Sequence, residues 1–247
     1  MRTRDDDSSE FVLNMNTLYQ RGNAAKQWIF EELHRRFGHQ PATMLDMGCG
    51  DGSKWPPFLA DHPSARVIGI DTDKSAIRYG TEHYTSPQLV LKVADAQKNT
   101  ETGFNAVIAF SAIEHVVDRA AFLKTVWSAL SSGGMAYLNY DDGHFRSSDW
   151  KERMMVPVSQ MLAIIGIQGP YMKHVDDLAF RRMAEAQGFR VMDFRKHNLH
   201  PLKGFLRNAS DDAVCVWYDV EERLGQLYKP EELDKIMWSS TLVLKKP

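Results

Sequence analysis

Cysteine is nearly missing from this chain, with 2 in 247 residues, Cys49 and Cys215. Two cysteines make no disulfide framework, and neither stands in a CxxC pair, so no thiolate metal cluster is encoded and a reducing, cytoplasmic setting is expected. Net charge is nearly missing too, at -2 near pH 7. Without a global positive field, nucleic acid is a poor first partner. Long hydrophobic runs are also lacking. The most apolar stretches, such as MLAIIGI at 161–167, fall far short of the roughly 20 residues that cross a bilayer, so no membrane partner is expected. The N-terminus MRTRDDDSSE has no apolar core behind its arginines and does not read as a signal peptide. No internal repeat or low-complexity linker interrupts the chain. What remains is 43% hydrophobic and 25% charged, a composition that suits one compact domain with a sizeable core.

That domain has a rhythm. Residues 1–10 read as disordered, and 11–37 as helical, with Trp28, Ile29, Leu33 and Phe37 recurring on one face. ATMLDM (42–47) then reads as a short buried strand. A helix is expected over about 55–61, a strand over 65–73, a helix over 75–84 and a strand over 88–95. A strand over 104–114 follows, then a helix over 119–130, a turn at SSGG and a strand over 135–142. Later come a helix at about 176–187, a strand over 189–196, a helix over 210–227 begun by a Ser cap, and a last strand over 240–246. Strand and helix in alternation predict an α/β, doubly wound, seven-stranded and mostly parallel sheet with helices on both faces. Right-handed crossovers put the loops after the strands on one edge, where such sheets bind ligands. Only residues 141–176 break the rhythm.

The stretch MLDMGCGDGSKW, 44–55, follows the first strand. Glycine takes positive φ and lets a ligand approach the backbone. A strand that ends in a glycine turn and opens a helix aims free N–H groups at one spot. Gly48, Gly50 and Gly52 therefore read as a cradle for an anionic or hydroxylated small molecule. Asp71 closes the second strand 21 residues after Gly50, where nucleotide-binding units place the acid that accepts from ribose hydroxyls. The spacing departs from the dinucleotide pattern G-x-G-x-x-G. Asp46, two residues before the first glycine, would repel a pyrophosphate and would suit a cationic amine.

LDMGCGDG, then VIGIDTD, VADA, FSAIEHVVD and LSSGGMAYLNY together resemble the class I S-adenosylmethionine-dependent methyltransferases of small-molecule type. The resemblance runs over about residues 40–140, with weaker support from LAFRRMAEAQGFRVMDF. It implies a Rossmann-like fold, S-adenosylmethionine as cofactor and S-adenosylhomocysteine as product. It implies that Asp46 faces the methionyl amine, and that the loop from Gly48 through Cys49 and Gly50 to Gly52 passes under the methionine and ribose. Asp71, with Thr72 beside it, would hold the ribose hydroxyls. Asp95 would accept from the adenine amino group with the N–H of Ala96 nearby, and Ser111 to Ile113 would line the cofactor. By the same resemblance residues 1–37 close over the site, with Tyr19 and Arg21 as candidates for the cofactor carboxylate or the acceptor. Residues 38–247 form the methyltransferase domain, with 141–176 inserted as a lid that binds the acceptor. Pro56 and Pro57 stand where the first helix of that family begins, so a late start is expected here.

Methyl transfer from a sulfonium needs alignment, and a base only where the acceptor must lose a proton. His115 and His144 are the candidate bases. Glu114 reads as a helix-start residue and His174 as a packing residue. Asp141 and Asp142 are weighed as magnesium ligands, but no well-spaced third ligand follows, and no metal is expected. The insert carries Phe145, Trp150, Met154, Met155, Met161 and Tyr171, which suit an apolar pocket and are compatible with a homodimer contact. The basic run 195–207 reads as a solvated loop or an anion surface. A small-molecule methyltransferase is the first expectation. An RNA or protein methyltransferase, a nicotinamide-dependent oxidoreductase and a cofactor-binding module without catalysis stand beside it.

Overall fold

The computed structural model describes residues 18–84, 86–146, 150–164, 171–199 and 203–247. Its strands are β1 (Ala42–Met47), β2 (Ala65–Asp71), β3 (Leu89–Val93), β4 (Phe104–Ala109), β5 (Leu130–Asp141), β6 (Arg190–Leu199) and β7 (Met237–Lys245). They form one seven-stranded sheet in the order β3-β2-β1-β4-β5-β7-β6. All pairs are parallel except those that β7 makes with β5 and with β6. β1 and β4 are buried at five of six positions each, as strands covered on both faces must be.

Side chains alternate across the sheet, and each face meets its own helices. On one face Leu45, Met47, Val107 and Leu138 pack with Phe122 and Val126 of α4 (Arg119–Ala129) and Phe180 of α6 (Asp177–Ala186). On the other, Met44, Val67, Ile108 and Tyr137 pack with Ile29, Phe30 and Leu33 of α1 (Ala24–Phe37), and with Trp55 and Phe58 of α2 (Trp55–Asp61). Asp46 has the parity of Met44, so its carboxylate enters this second, aromatic layer.

Helix starts follow the caps. Asn23, Asp73, Asp118, Asp176 and Ser210 accept from backbone N–H groups at the starts of α1, α3 (Lys74–His83), α4, α6 and α8 (Asp211–Leu227). Pro56 and Pro57 lie in the first turn of α2, so it begins at Trp55 rather than late.

The structure departs from the sequence reading in several places: among the described residues the helix read over 11–37 begins at Ala24, and the strand read over 104–114 ends at Ala109. The SSGG turn is part of β5, which pairs Leu130 with Phe104 and then slips register at a bulge before Ala106. The irregular insert contains α5 (Trp150–Ile164), a helix with Pro157 inside it. Trp150, Met154, Met161 and Ile164 are exposed on it, so its apolar residues show no clear core face in sequence. Two short helices, α7 (Lys203–Leu206) and α9 (Pro230–Leu233), were not expected. The basic run begins as β6 rather than as a solvated loop. Its Lys196 is buried between Asp177 (2.6 Å) and Asp234 (2.8 Å), and Arg195 pairs with Glu222 and Asp193. Those cations answer the chain's own acids.

One close approach fixes the loop after β1. α3 lies against it through Gly80, and a Cβ built there would meet the carbonyl oxygen of Asp51 at 2.0 Å and Leu91 Cδ1 at 2.7 Å. Gly80→Ala must therefore move backbone, which costs roughly 1–3 kcal/mol despite alanine's better helix propensity. The expected result is a melting temperature lower by roughly 2–10 °C, together with weaker binding of any ligand held by the loop. Calorimetric melting of the variant checks it, and an unchanged melting temperature would show that α3 and the loop separate freely.

Candidate functional site

The loop after β1 is pinned to the end of β2. The N–H groups of Gly48 and Cys49 both donate to the carbonyl of Ile70, at 2.8 and 3.0 Å. Gly50 N–H donates to Asp71 Oδ2 at 2.8 Å, and Asp73 N–H donates to Asp71 Oδ1 at 2.9 Å. Each carboxylate oxygen keeps a further lone pair for a ligand hydroxyl. Gly48 has φ +82°, and a Cβ on it would reach 3.0 Å from Ala112 Cβ. A side chain at this point would fill the gap between the β1 loop and the β4 loop.

That gap is the mouth of a cavity of about 410 Å³. Gly48, Asp71, Thr72, Asp95 and Ala96 line it, and Ser111 and His115 close its far side. Sequence reasoning had singled out all seven separately, and the fold brings them together. Gln97, Val116 and Phe122 line it as well and carry no sequence signal beyond their apolar or amide character. Asp95 caps a short 3-10 turn by accepting from Gln97 N–H at 2.9 Å, which leaves its second oxygen near the cavity and near Lys98 at 3.5 Å. Ser111 holds φ +50°, an uncommon backbone for a residue with a Cβ. Its N–H donates to the carbonyl of Asn139, and that side chain is locked by bonds to Ser239, Ser240 and Thr241 of β7.

Other expected residues lie elsewhere. Asp46 is wholly buried beneath the loop, and its Oδ2 accepts from Trp55 Nε1 at 2.7 Å and Lys54 Nζ at 3.3 Å. Its Oδ1 has no partner among the described residues. Cys49 is buried, its Sγ bonded to the Gly50 carbonyl, and burial pushes its thiol far above the usual range, so it is no nucleophile. Gly52 packs against Leu91. Tyr19 donates to Asp61 Oδ2 and stacks among Phe30 and Phe58, away from the cavity. Arg21 also points away, bonded to the Ala209 carbonyl and paired with Asp211. His144 lies in a 3-10 turn after β5, and its side chain is outside the described residues.

The far rim is built from two crossing segments. Glu114 and His115 sit in a 3-10 turn after β4. Residues 171–175 cross it and are stapled down: Lys173 N–H donates to the Glu114 carbonyl, and Arg119 donates to the carbonyls of Ile113, Lys173 and His174. His115 Nδ1 lies 3.0 Å from the Tyr171 carbonyl. A carbonyl only accepts, so Nδ1 carries the proton and Nε2 is left as the basic nitrogen. Glu114 is no exposed helix-start acid. It is 1% exposed, its Oε1 accepts from Asp141 N–H and its Oε2 has no partner among the described residues. Burial, reinforced by the nearby Asp141 carboxylate, raises its carboxyl to about 8, so it is neutral at pH 7. Asp141 and Asp142 are engaged by other partners. Asp141 accepts from Gly143 N–H, while Asp142 holds Arg146 and His174. The bond to Asp142 raises the His174 imidazole above its usual value.

Known proteins resemble this chain in sequence and in fold. A family model described as a methyltransferase domain matches residues 19–193. The chain is 28% identical over 190 residues to a ubiquinone biosynthesis O-methyltransferase of Methylobacterium sp. (strain 4-46), covering 70% of this chain and 69% of the relative. It is 25% identical over 205 residues to the mitochondrial ubiquinone biosynthesis O-methyltransferase of Homo sapiens, covering 76% of this chain but only 54% of that protein. Among solved structures, an S-adenosylmethionine dependent methyltransferase from Mesorhizobium loti shares the fold, with a TM-score of 0.60 and 14% identity over 90% of this chain and 97% of that one. A domain model running from the edge of α1 into β6, over a sheet in this strand order, places the chain among the class I S-adenosylmethionine-dependent methyltransferases, with S-adenosylmethionine as its cofactor.

Proposed function

We propose that the chain methylates a small-molecule acceptor, and that the acceptor gives up a hydroxyl proton to His115. The observation that carries this reading is the staple across the β4 turn. Residues 171–175, held by Arg119 and by the Glu114 carbonyl, lie across the turn that carries His115, so a titratable side chain of the cavity is fixed beside an ordered strap. The internal pairing of Arg195 and Lys196 removes part of the basic run that an RNA acceptor would need. Names borne by relatives point the same way: ubiquinone biosynthesis O-methyltransferase and trans-aconitate 2-methyltransferase.

The residues present fit the cofactor. The cradle at Gly48 leaves room where a Cβ would intrude, and the buried Oδ1 of Asp46 lacks a donor. S-adenosylmethionine supplies an activated methyl group on a sulfonium, ready for in-line displacement. Asp71 and Thr72 would hold the ribose, Asp95 and Ala96 the adenine, and Ser111 the far wall. His115 Nε2 would accept the acceptor's proton as the new bond forms, while the Nδ1 bond to Tyr171 keeps the ring oriented. Residues 141–176, with α5, are assigned to the acceptor side. Glu114, neutral at pH 7, serves as a buried prop rather than a base.

Three outcomes test these assignments. S-adenosylhomocysteine should bind the wild type in calorimetric titration and NADH should not; Asp71→Ala should weaken the former at least roughly tenfold, since a charge-assisted bond and the loop anchor go together. Labelled methyl offered with a panel of aromatic hydroxyl, carboxylate and amine metabolites should reach a small molecule. His115→Ala should then slow turnover on a hydroxyl acceptor by roughly 10²–10⁴-fold with adenosyl affinity nearly kept; label appearing only in RNA or protein would sink the reading. Glu114 keeps its proton in the fold between about pH 4.5 and 8, where the unfolded chain has lost it. Stability therefore falls as pH rises through that window. Glu114→Gln should gain on the wild type by up to a few kcal/mol between pH 5 and 8.5, and parallel denaturation curves would contradict the burial effect.

A further inference from the structure

A second cavity, of about 30 Å³, lies between α1, β6 and α8. That is room for roughly one or two water-sized groups. His197 lines it, is 5% exposed, and has no hydrogen-bond partner for its Nε2 among the described residues. Burial and the nearby Arg195 lower its imidazole to about 3, so the ring is neutral and can present a bare lone pair. The ring stands 5.4 Å from that of Trp28. Acids dominate the rest of the lining. Glu221 is engaged by the N–H groups of Asn198 and Leu199 and by Trp217 Nε1. Glu222 pairs with Arg195, a cation that Asp193 also holds. Lys196 borders the cavity too, but its ammonium is met by Asp177 and Asp234. Glu31 accepts from Gln27 Nε2 at 2.8 Å and makes no ion pair among the described residues. Burial, with the Glu222 and Asp219 carboxylates nearby, raises its carboxyl above the usual value. The hollow thus holds an orphaned lone pair beside an excess of negative charge, and each is costly to bury unmet.

We propose that this cavity binds the primary ammonium group of a small aliphatic amine, with His197 Nε2 and the Glu31 carboxylate accepting its N–H groups. An ammonium brings three donors and one positive charge, which answers both a lone pair and an unpaired acid. A water molecule would meet the nitrogen and leave the charge unanswered. An anion would face Glu31, Asp219, Glu221 and Glu222 together. A transition metal finds no set of three His, Cys, Asp or Glu ligands among the described residues. A hard cation prefers oxygen and gains little from an imidazole nitrogen. The amine's tail has a way out, because Asp219 and Gly225 are exposed among the lining residues and a Cβ on Gly225 would meet nothing within 4 Å. The occupant would brace a joint. Asn198, next to His197, accepts from Ala24 N–H, and the Tyr218 hydroxyl links the Gln20 carbonyl to Asn23 N–H. This cavity shares no lining residue with the one beside the glycine loop, so the inference goes beyond methyl transfer and does not depend on it.

Butylamine and putrescine, titrated into the full chain at constant ionic strength, test the proposal, with tetramethylammonium and potassium chloride as controls. Calorimetry reads the affinity, and imidazole nitrogen NMR spectra read His197 itself. Both amines should bind the wild type and shift the His197 signals. The controls carry charge but no N–H donor and should bind at least roughly tenfold more weakly. His197→Phe keeps a flat ring beside Trp28 without the nitrogen, and Glu31→Gln removes the charge. Each should weaken amine binding at least roughly tenfold while keeping a cooperative melting transition. The wild-type NMR signals decide the matter even where a variant fails to fold. No amine binding, or binding that leaves the His197 signals unmoved, would overturn the proposal, as the cavity would then hold water only. Equal binding of either control would overturn it too, as the acids would then act as a plain negative field. Folded variants that bind amines as the wild type does would likewise overturn it, by placing the amine elsewhere.

Discussion

The carboxylate of Asp71 ties together three parts of the chain at one point. One oxygen takes the N–H of Gly50 and the other the N–H of Asp73. The β1 loop, the end of β2 and the start of α3 thus share one anion. With Ile70 receiving two more loop N–H groups, the cradle is fixed before a ligand enters. Preorganisation of this kind lowers the ordering cost of binding. Gly80 of α3 closes against the same loop from outside, so helix, strand and cradle behave as one rigid piece.

The opposite rim is held by different physics. Arg119 reaches three carbonyls, a fork that a planar guanidinium fills well. It joins the β4 turn to the segment before α6. Behind that turn, Glu114 is buried next to Asp141, and burial favours its neutral form at neutral pH. The two rims therefore differ in character. The β2–β3 side carries carboxylates positioned by backbone donors with lone pairs to spare, whereas the β4 side carries a buried neutral acid, an imidazole of fixed tautomer and a strap.

The alternation of short buried strands with amphipathic helices was legible in the sequence because period two and period 3.6 differ sharply over such lengths. The glycine loop and the acid 21 residues on were legible because few other residue types satisfy that backbone. Other features were not. Lys54 sits among Trp55, Pro56 and Pro57 with no spacing that ties it to Asp46, and only the fold brings the two within reach. Glu114 reads as a helix-start acid until β5 and the strap bury it. Helix α5 was hidden because its large apolar residues are exposed rather than confined to one buried stripe. Lys196 looked like a surface cation, since nothing local announces that Asp177 and Asp234, one before it and one well after, converge on it.

β7 occupies the slot between β5 and β6, and among the described residues β6 has no other neighbour in the sheet. Strands β1 to β5 can pair with one another as they are synthesised, but β6 and the helices packed on it have no place in the sheet until residues 237–245 are made. Ser239, Ser240 and Thr241, the residues that anchor Asn139 behind Ser111, belong to that same strand. The wall of the cavity behind Ser111 is thus finished by nearly the last segment of the described chain to leave the ribosome. In a vectorial synthesis this separates assembly of the glycine-loop cradle, complete with α3 (Lys74–His83), from completion of the wall behind Ser111, which waits for β7 (Met237–Lys245).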